Sequence, residues 1–239
     1  MSGPHFHFER EAIGQGHRFV CGVDEVGRGP LAGPVGVAAV ILDPEDLPGG
    51  LDDSKVLTEA KRDELRPIIF AKALSVSVVF ASPMEIDAYN IRGAALRAMA
   101  RAVAALHVQP HLALIDGRDV PENLICPGRA IIDGDALSLS IAAASILAKT
   151  TRDALMRNLH VEYPQYGFAD HVGYATREHR RALAQAGACP YHRRSFRLGE
   201  DSEAEEKPAP RKGLKKVAVK TLFANSPPFE NDTTSSQPV

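Results

Sequence analysis

CGVDEVGRGPLAGPV, residues 21–35, decides how this chain is read. An apolar run ends on two adjacent carboxylates, Asp24 and Glu25, and passes straight into Gly27, Gly29 and Gly33, with Pro30 and Pro34 among them. A chain needing only a turn has no reason to set two acids at its mouth. A chain that holds a metal ion beside a polyanion does. Successive strand residues point to opposite faces, so both acids serve one site only if the strand kinks there, and the glycines make a kink easy. The glycine spacing misses the dinucleotide fingerprint by one residue, Pro30 blocks the helix that should follow, and the Gly-Lys-Ser/Thr ending of a phosphate loop is missing. What the loop offers is backbone that can approach a sugar or phosphate closely, with Arg28 beside it.

Outward from this stretch, His17–Asp24 reads as a buried strand and Pro34–Leu42 as a second, both short apolar runs closed by turn residues. Leu74–Phe80 alternates with period two and makes a third. Non-helical or short connections between them suggest an antiparallel start to the sheet. Ser82-Pro83 can cap a helix whose apolar face is Ile91, Ala95, Met99, Val103 and Leu106, with Arg92, Arg97 and Arg101 largely opposite. His111–Asp116 is a fourth strand, Arg129–Asp133 a short fifth, and a long helix is expected from about Ala136 to His160. The order of elements gives an α/β fold: a mixed five-stranded sheet flanked by helices, with a helical C-terminal part.

The chain has 239 residues, 44% hydrophobic and 24% charged, which suits one sizeable domain of soluble type with a tail. The expected boundaries are an N-terminal extension over 1–16, a catalytic domain over 17–198 and a disordered tail over 199–239, where Glu, Lys, Pro, Ser and Thr dominate. A formal net charge of −2 leaves nucleic-acid affinity to a local patch. The three cysteines, Cys21, Cys126 and Cys189, form no CxxC pair, which speaks against a zinc knot or a disulfide framework. With no apolar leader-like run at the N-terminus, a cytoplasmic setting is expected, and a monomer is the default.

Acids recur where predicted elements end: Asp24 and Glu25 on the first strand, Asp116 on the fourth, and Asp135 opening the long helix. Taken alone, Asp116-Gly117 reads as a turn and Asp135 as a helix cap. Taken together, converging carboxylates repel one another, and a divalent cation removes the conflict. An all-oxygen set favours Mg²⁺ or Mn²⁺ over zinc and suits two-metal phosphoryl chemistry. On the long helix, Ser138, Ser145, Lys149 and Arg152 share a stripe, and each taken singly reads as solvated face. His171–Arg197 carries six arginines against Glu178 as its one acid, a patch that can supply phosphate affinity.

The motifs GVDEVGRGPLAGPV, LDDSKVLT, EIDAYNIRGA, LIDG, GDALSLSIAAASILAKTTRD, YPQYGFADHVGYATREH and HRRSF, in this order, resemble the bacterial ribonuclease HII (type 2 ribonuclease H) family from about Phe19 to Phe196. The resemblance implies a ribonuclease H-like fold. It also implies a metal-dependent endonuclease that cuts the RNA strand of RNA–DNA hybrids and single ribonucleotides embedded in DNA. By motif position, the catalytic and metal-holding acids would be Asp24, Glu25, Asp116 and Asp135. Gly27, Arg28 and Gly29 would read the ribose 2′-OH, which distinguishes RNA from DNA. Tyr174 would sense the deoxyribose beyond it, and Ser54 and Lys55 would lie near the nucleic-acid backbone.

Asp133, Val172 and Val56 stand where the family often has Lys, and none of the three is a proposed metal ligand. In the tail, Val219-Lys220-Thr221-Leu222-Phe223 loosely resembles a sliding-clamp-binding peptide without its glutamine, implying a weak clamp contact through Leu222 and Phe223. A DNA nuclease on the same fold and a binding module without catalysis are the rival readings.

Overall fold

One strand of the sheet is buried along its whole length: all eight residues of β2 (Val35–Leu42) are buried. The computed structural model describes residues 3–198. Around β2 stand β1 (Val20–Val26), β3 (Ala73–Ala81), β4 (Leu112–Asp116) and β5 (Gly128–Ile131), in the order β3-β2-β1-β4-β5. β1–β2 and β2–β3 are antiparallel, and β1–β4 and β4–β5 are parallel. This is the mixed five-stranded sheet expected from the sequence.

Helix α3 (Pro83–Ala104) covers one face, packing Ala95, Met99 and Val103 on Val23, Val37 and Ile115. Its start is the capping box that Ser82-Pro83 announced, with Ser82 and Glu85 bonded reciprocally at 2.9 and 3.1 Å. Asn90 interrupts it at φ 56°, and the Asn90 Oδ1 accepts from the amides of Arg92 and Gly93, capping the second half. The opposite face carries α4 (Leu139–Glu162) and α2 (Glu59–Lys72).

Two features depart from the sequence reading. Helix α2 occupies a connection expected to be short or non-helical. Only Leu65 and Ile69 of it are buried, and Pro67 lies inside it, where proline costs about 3 kcal/mol, so the local signal is weak. The Thr58 cap and packing on α4 carry it, and its Arg62 holds the 51–57 loop by donating to the carbonyls of Ser54 (2.7 Å) and Leu57 (2.6 Å). The long helix begins at Leu139, not Ala136. Asp135 lies instead in a separate 3₁₀ turn, Gly134–Ala136, and Ser138 caps α4.

The segment before residue 17, expected as an extension, contains α1 (His7–Gly14). Its Glu9 is fully buried, and the Oε1 accepts from Ser138 Oγ (2.6 Å), Ser140 Oγ (2.5 Å) and the Ser140 amide (2.9 Å). A carboxylate thus sits on the N-terminus of α4, where the helix dipole favours it. The tail with Leu222 and Phe223 lies outside the described residues. Among the described residues no helix is long and apolar enough to cross a membrane.

The C-terminal part, with α5 (Phe168–His171) and α6 (Arg177–Ala186), packs Tyr166, Phe168 and Leu183 on Leu31, Met156 and Leu159. A one-way hydrogen-bond chain runs through it. The Tyr174 carbonyl can only accept, so His179 donates to it through Nδ1 (2.8 Å). The neutral His179 Nε2 then accepts from His192 Nε2–H (3.0 Å), and His192 Nδ1 accepts from the Cys189 amide (3.0 Å).

Burial above all holds His179 in this neutral form, lowering its pKa to about 4, and lowers that of His192 as well. An unfolded histidine titrates near 6.5, so between these values the unfolded chain binds the extra proton. This contribution to stability is complete above about pH 6.5 and is lost as pH falls towards 4. The slope of urea midpoint against pH over that window is therefore expected to be shallower in His179→Gln than in the unaltered protein.

Candidate active site

The parallel register of β1 and β4 pairs Val23 with Ile115, which sets Asp24 and Asp116 side by side at the carboxyl ends of neighbouring strands. Strand ends of this kind are where α/β sheets build sites. Asp24 is buried at 4% exposure on the α4 side, where the Ser145 hydroxyl of α4 favours its charged form. Its Oδ1 also accepts from the Glu25 amide (2.7 Å). Asp116 Oδ1 accepts from the Gly134 amide (2.7 Å), which ties the 3₁₀ turn carrying Asp135 to the end of β4.

Glu25 does not share a face with Asp24 by a kink, as expected from the sequence. β1 pairs regularly with β2 through Glu25↔Val37 and Val26↔Gly36, so Glu25 points to the α3 side. The two acids instead reach one site around the end of the strand. Glu25 lines a cleft with Arg28, Arg92, Met99, Asp116 and Asp119. Arg28 pairs with Glu25 at 3.2 Å, and Arg92 grips Asp119 by two bonds of 2.9 and 2.7 Å.

The carboxyls act on one another electrostatically. Burial, then Glu25 and Asp116, push the Asp24 carboxyl well above the usual range. Burial and then the neighbouring Asp135 raise Asp116, against the opposing amides of Gly134 and Asp135. Burial raises Glu25 as well, with Arg28 working against it. Lys55, at the surface, bonds Asp135 Oδ2 at 2.8 Å. Its partial burial disfavours the ammonium, but Asp135 outweighs this and raises its pKa.

Each acid is therefore held by a donor of its own. Among the described residues, no three His, Cys, Asp or Glu side chains are drawn up tightly enough to hold an ion as they stand. The donor set nevertheless fits one. Buried carboxylates that raise one another's pKa are relieved by a hard divalent cation with oxygen ligands.

The other predicted residues fall around this centre. The Ser54 hydroxyl is buried against Ser145 Oγ (2.8 Å), so it braces the 51–57 loop, while Lys55 carries that loop's exposed charge. Gly27, Arg28 and Gly29 follow β1 directly. The Tyr174 ring is 45% exposed and lies beside Gly29, with its Cε1 3.6 Å from where a Gly29 Cβ would stand. Val172 before it adopts φ 45°, a left-handed backbone that a β-branched residue disfavours, and Asp133 is exposed at φ 54°.

The stripe on α4 is not a solvated face: Ser138, Ser145 and Arg152 are buried, and Lys149 pairs with Asp153. Nor is the arginine-rich 171–197 segment wholly a surface patch, since Arg193 is fully buried. Ser145 and both buried arginines bear on the site, yet in sequence each looked like an ordinary polar residue on a helix or in a basic run.

Residues 21–198 match the family model described as Ribonuclease HII. The chain is 53% identical over 194 residues to the Ribonuclease HII of Brucella ovis, covering 81% of this chain and 88% of that one. Among solved structures it is similar to the ribonuclease H2 of Pyrococcus horikoshii OT3 (25% identity, TM-score 0.62, 75% of this chain and 94% of that one). It is also similar to the RNase HII in a PCNA complex from Archaeoglobus fulgidus (26% identity, TM-score 0.65, 77% and 98%). A mixed sheet with its acids at the ends of β1 and β4, a family match across nearly all described residues, and a close curated relative agree: the chain belongs to the ribonuclease HII family.

Proposed function

We propose that this chain is a metal-dependent endoribonuclease that hydrolyses the RNA strand of RNA–DNA hybrids. It also incises 5′ of single ribonucleotides embedded in DNA, leaving 5′-phosphate and 3′-hydroxyl ends. Its work in the cell is ribonucleotide excision and RNA primer removal, carried out as a cytoplasmic monomer. The observation that carries this reading is the meeting of Asp24, Asp116 and Asp135 on one side of the β1 end with Glu25 on the other.

Asp24, Glu25, Asp116 and Asp135 would hold the cations, Mg²⁺ or Mn²⁺. Two such ions, when bound, supply an activated water for in-line attack on phosphorus and neutralise the leaving 3′-oxygen. The chain's own residues do the rest. The Glu25 amide fixes the Asp24 carboxylate, which Ser145 also favours in its charged form, and the Gly134 amide fixes Asp116, so the acids meet substrate preorganised. Lys55 stands exposed at the rim, where its ammonium can neutralise a backbone phosphate. Gly27, Arg28 and Gly29 present backbone to the ribose, and the Tyr174 ring beside Gly29 packs against the next sugar.

The test is a labelled duplex carrying one internal ribonucleotide beside an all-DNA twin. A single cut 5′ to the ribonucleotide, abolished by EDTA and missing from the twin, is expected. Equal cutting of both would make the protein a general DNA nuclease, and binding without cutting would make it a binding module. In Asp116→Asn the same assay is expected to lose at least about a hundredfold in rate, because a preorganised charge at the reacting centre is gone. Metal-dependent cleavage left intact in that variant would refute the assignment of the acids.

A weak contact of Leu222 and Phe223 with a sliding clamp belongs to the same proposal, supported by the clamp complex of the Archaeoglobus fulgidus relative. Pull-down with a bacterial clamp is expected to succeed with the full chain and fail without residues after Gly199; equal capture of both would end the idea.

A further inference from the structure

The glycine loop is built from the inside. Arg193 donates to three of its carbonyls: Gly27 (2.6 Å), Arg28 (2.9 Å) and Gly33 (2.9 Å). Arg152 donates to two more, Pro34 (2.9 Å) and Ala32 (3.3 Å), and the Leu31 carbonyl accepts from the Arg193 amide (2.9 Å). Both side chains are fully buried, and among the described residues neither forms an ion pair. Burial, then the neighbouring Arg152, lowers the Arg193 pKa to about 9, with Tyr174 and Asp87 working against them. Arg152 Nη1 has no hydrogen-bond partner among the described residues.

A buried, unpaired charge is costly, so its retention calls for a reason. Peptide geometry supplies one. In a trans peptide the C=O and the following N–H point in opposite directions. Turning the Gly27 and Arg28 carbonyls inward onto Arg193 therefore turns the Arg28 and Gly29 amides outward. Neither amide is taken by another described residue. Gly27 makes the geometry possible, because it sits at φ 87° and a Cβ there would lie 2.1 Å from Arg152 Nε.

The backbone just after Arg193 is anchored to α3. Asp87 of α3 accepts from the amides of Arg194 (3.0 Å) and Ser195 (2.9 Å) and from Ser195 Oγ (2.6 Å). The loop is also joined to the strap before Tyr174, since the Gly173 carbonyl accepts from the Leu31 amide at 2.9 Å.

We propose that Arg193, backed by Arg152, is a positioning residue for ribose recognition: it aims the Arg28 and Gly29 amides at a substrate oxygen and strengthens them as donors by its charge. The inference rests on the proposed reading of Gly27, Arg28 and Gly29 as the ribose-contacting element. The natural acceptor is the 2′-oxygen. Deoxyribose lacks it and would leave both donors unpaired, which is the stronger form of discrimination.

The test uses the full chain as Arg193→Lys, which keeps the charge but loses the planar fork. On the single-ribonucleotide duplex, kcat/KM is expected to fall by roughly tenfold or more, the scale of a lost buried hydrogen bond. The Mn²⁺ binding isotherm should stay near that of the unaltered protein, while the urea midpoint falls by the cost of the lost bonds with the variant still folded. Cleavage within twofold of the unaltered protein would overturn the proposal. So would a loss of cleavage matched by weakened Mn²⁺ binding, which marks a merely structural role.

Should Arg193→Lys fail to fold, NMR of the unaltered protein decides. Discrete, slowly exchanging Arg193 guanidinium signals, with Arg28 and Gly29 amides that shift on adding a ribonucleotide duplex but not its all-DNA twin, are expected. An averaged guanidinium signal, or equal shifts with both duplexes, would refute it. Equal cutting of both duplexes by the unaltered protein would instead refute the proposed function on which the inference stands.

Discussion

Helix α4 meets β1 backbone to backbone at Gly22, and the site depends on that contact. A Cβ on Gly22 would stand 2.2 Å from the Ser140 carbonyl carbon, with no flexible side chain to give way. The approach lets one rigid helix serve three parts of the site. The 3₁₀ turn before it carries Asp135, its second turn brings Ser145 to Asp24, and its fourth places Arg152 under the glycine loop. Glu9 fixes the N-terminal end of the helix from the other side by accepting from Ser138 and Ser140. Helix register, more than loop conformation, therefore sets the distances between the acids and the loop.

The two buried arginines, Arg152 and Arg193, are kept in a separate layer from the buried carboxylates of the site. The carboxylates gather at the strand ends, buried enough that Asp24, Glu25 and Asp116 are all pushed towards protonation. These arginines lie beneath the adjoining loop, and the hydrogen bonds of their side chains go to its carbonyls. An ion pair between the layers would have neutralised both. Held apart, the acids keep their demand for cations and the loop keeps a field that favours electron-rich oxygen. Both are uses of burial that would be wasteful in a merely structural core.

The C-terminal part completes the site without supplying acids. Arg193 organises the glycine loop, and the chain of bonds from Cys189 through His192 and His179 ends on the carbonyl of Tyr174. The exposed ring of Tyr174 is thus set on a backbone held from within. Val172, two residues before it, adopts a left-handed conformation that a β-branched residue disfavours.

The amino-acid sequence alone determined the strands, the capped helix at Ser82 and the placement of acids where elements end. These depend on period, turn chemistry and near neighbours, which lie within a few residues. The motif resemblance named the family in the same way, from residues in order. Three things were decided only by tertiary structure. Glu25 serves the site from the far face of β1, because the strand runs on regularly and simply ends. Helix α2 forms despite Pro67, because Leu65 and Ile69 are covered by the rest of the fold. Arg193 leaves the basic run it belongs to and turns inward, because its acceptors lie 160 to 166 residues earlier in the chain. Local pattern cannot tell a solvated arginine from a buried one. What separates them is a set of carbonyls that only the folded chain brings near.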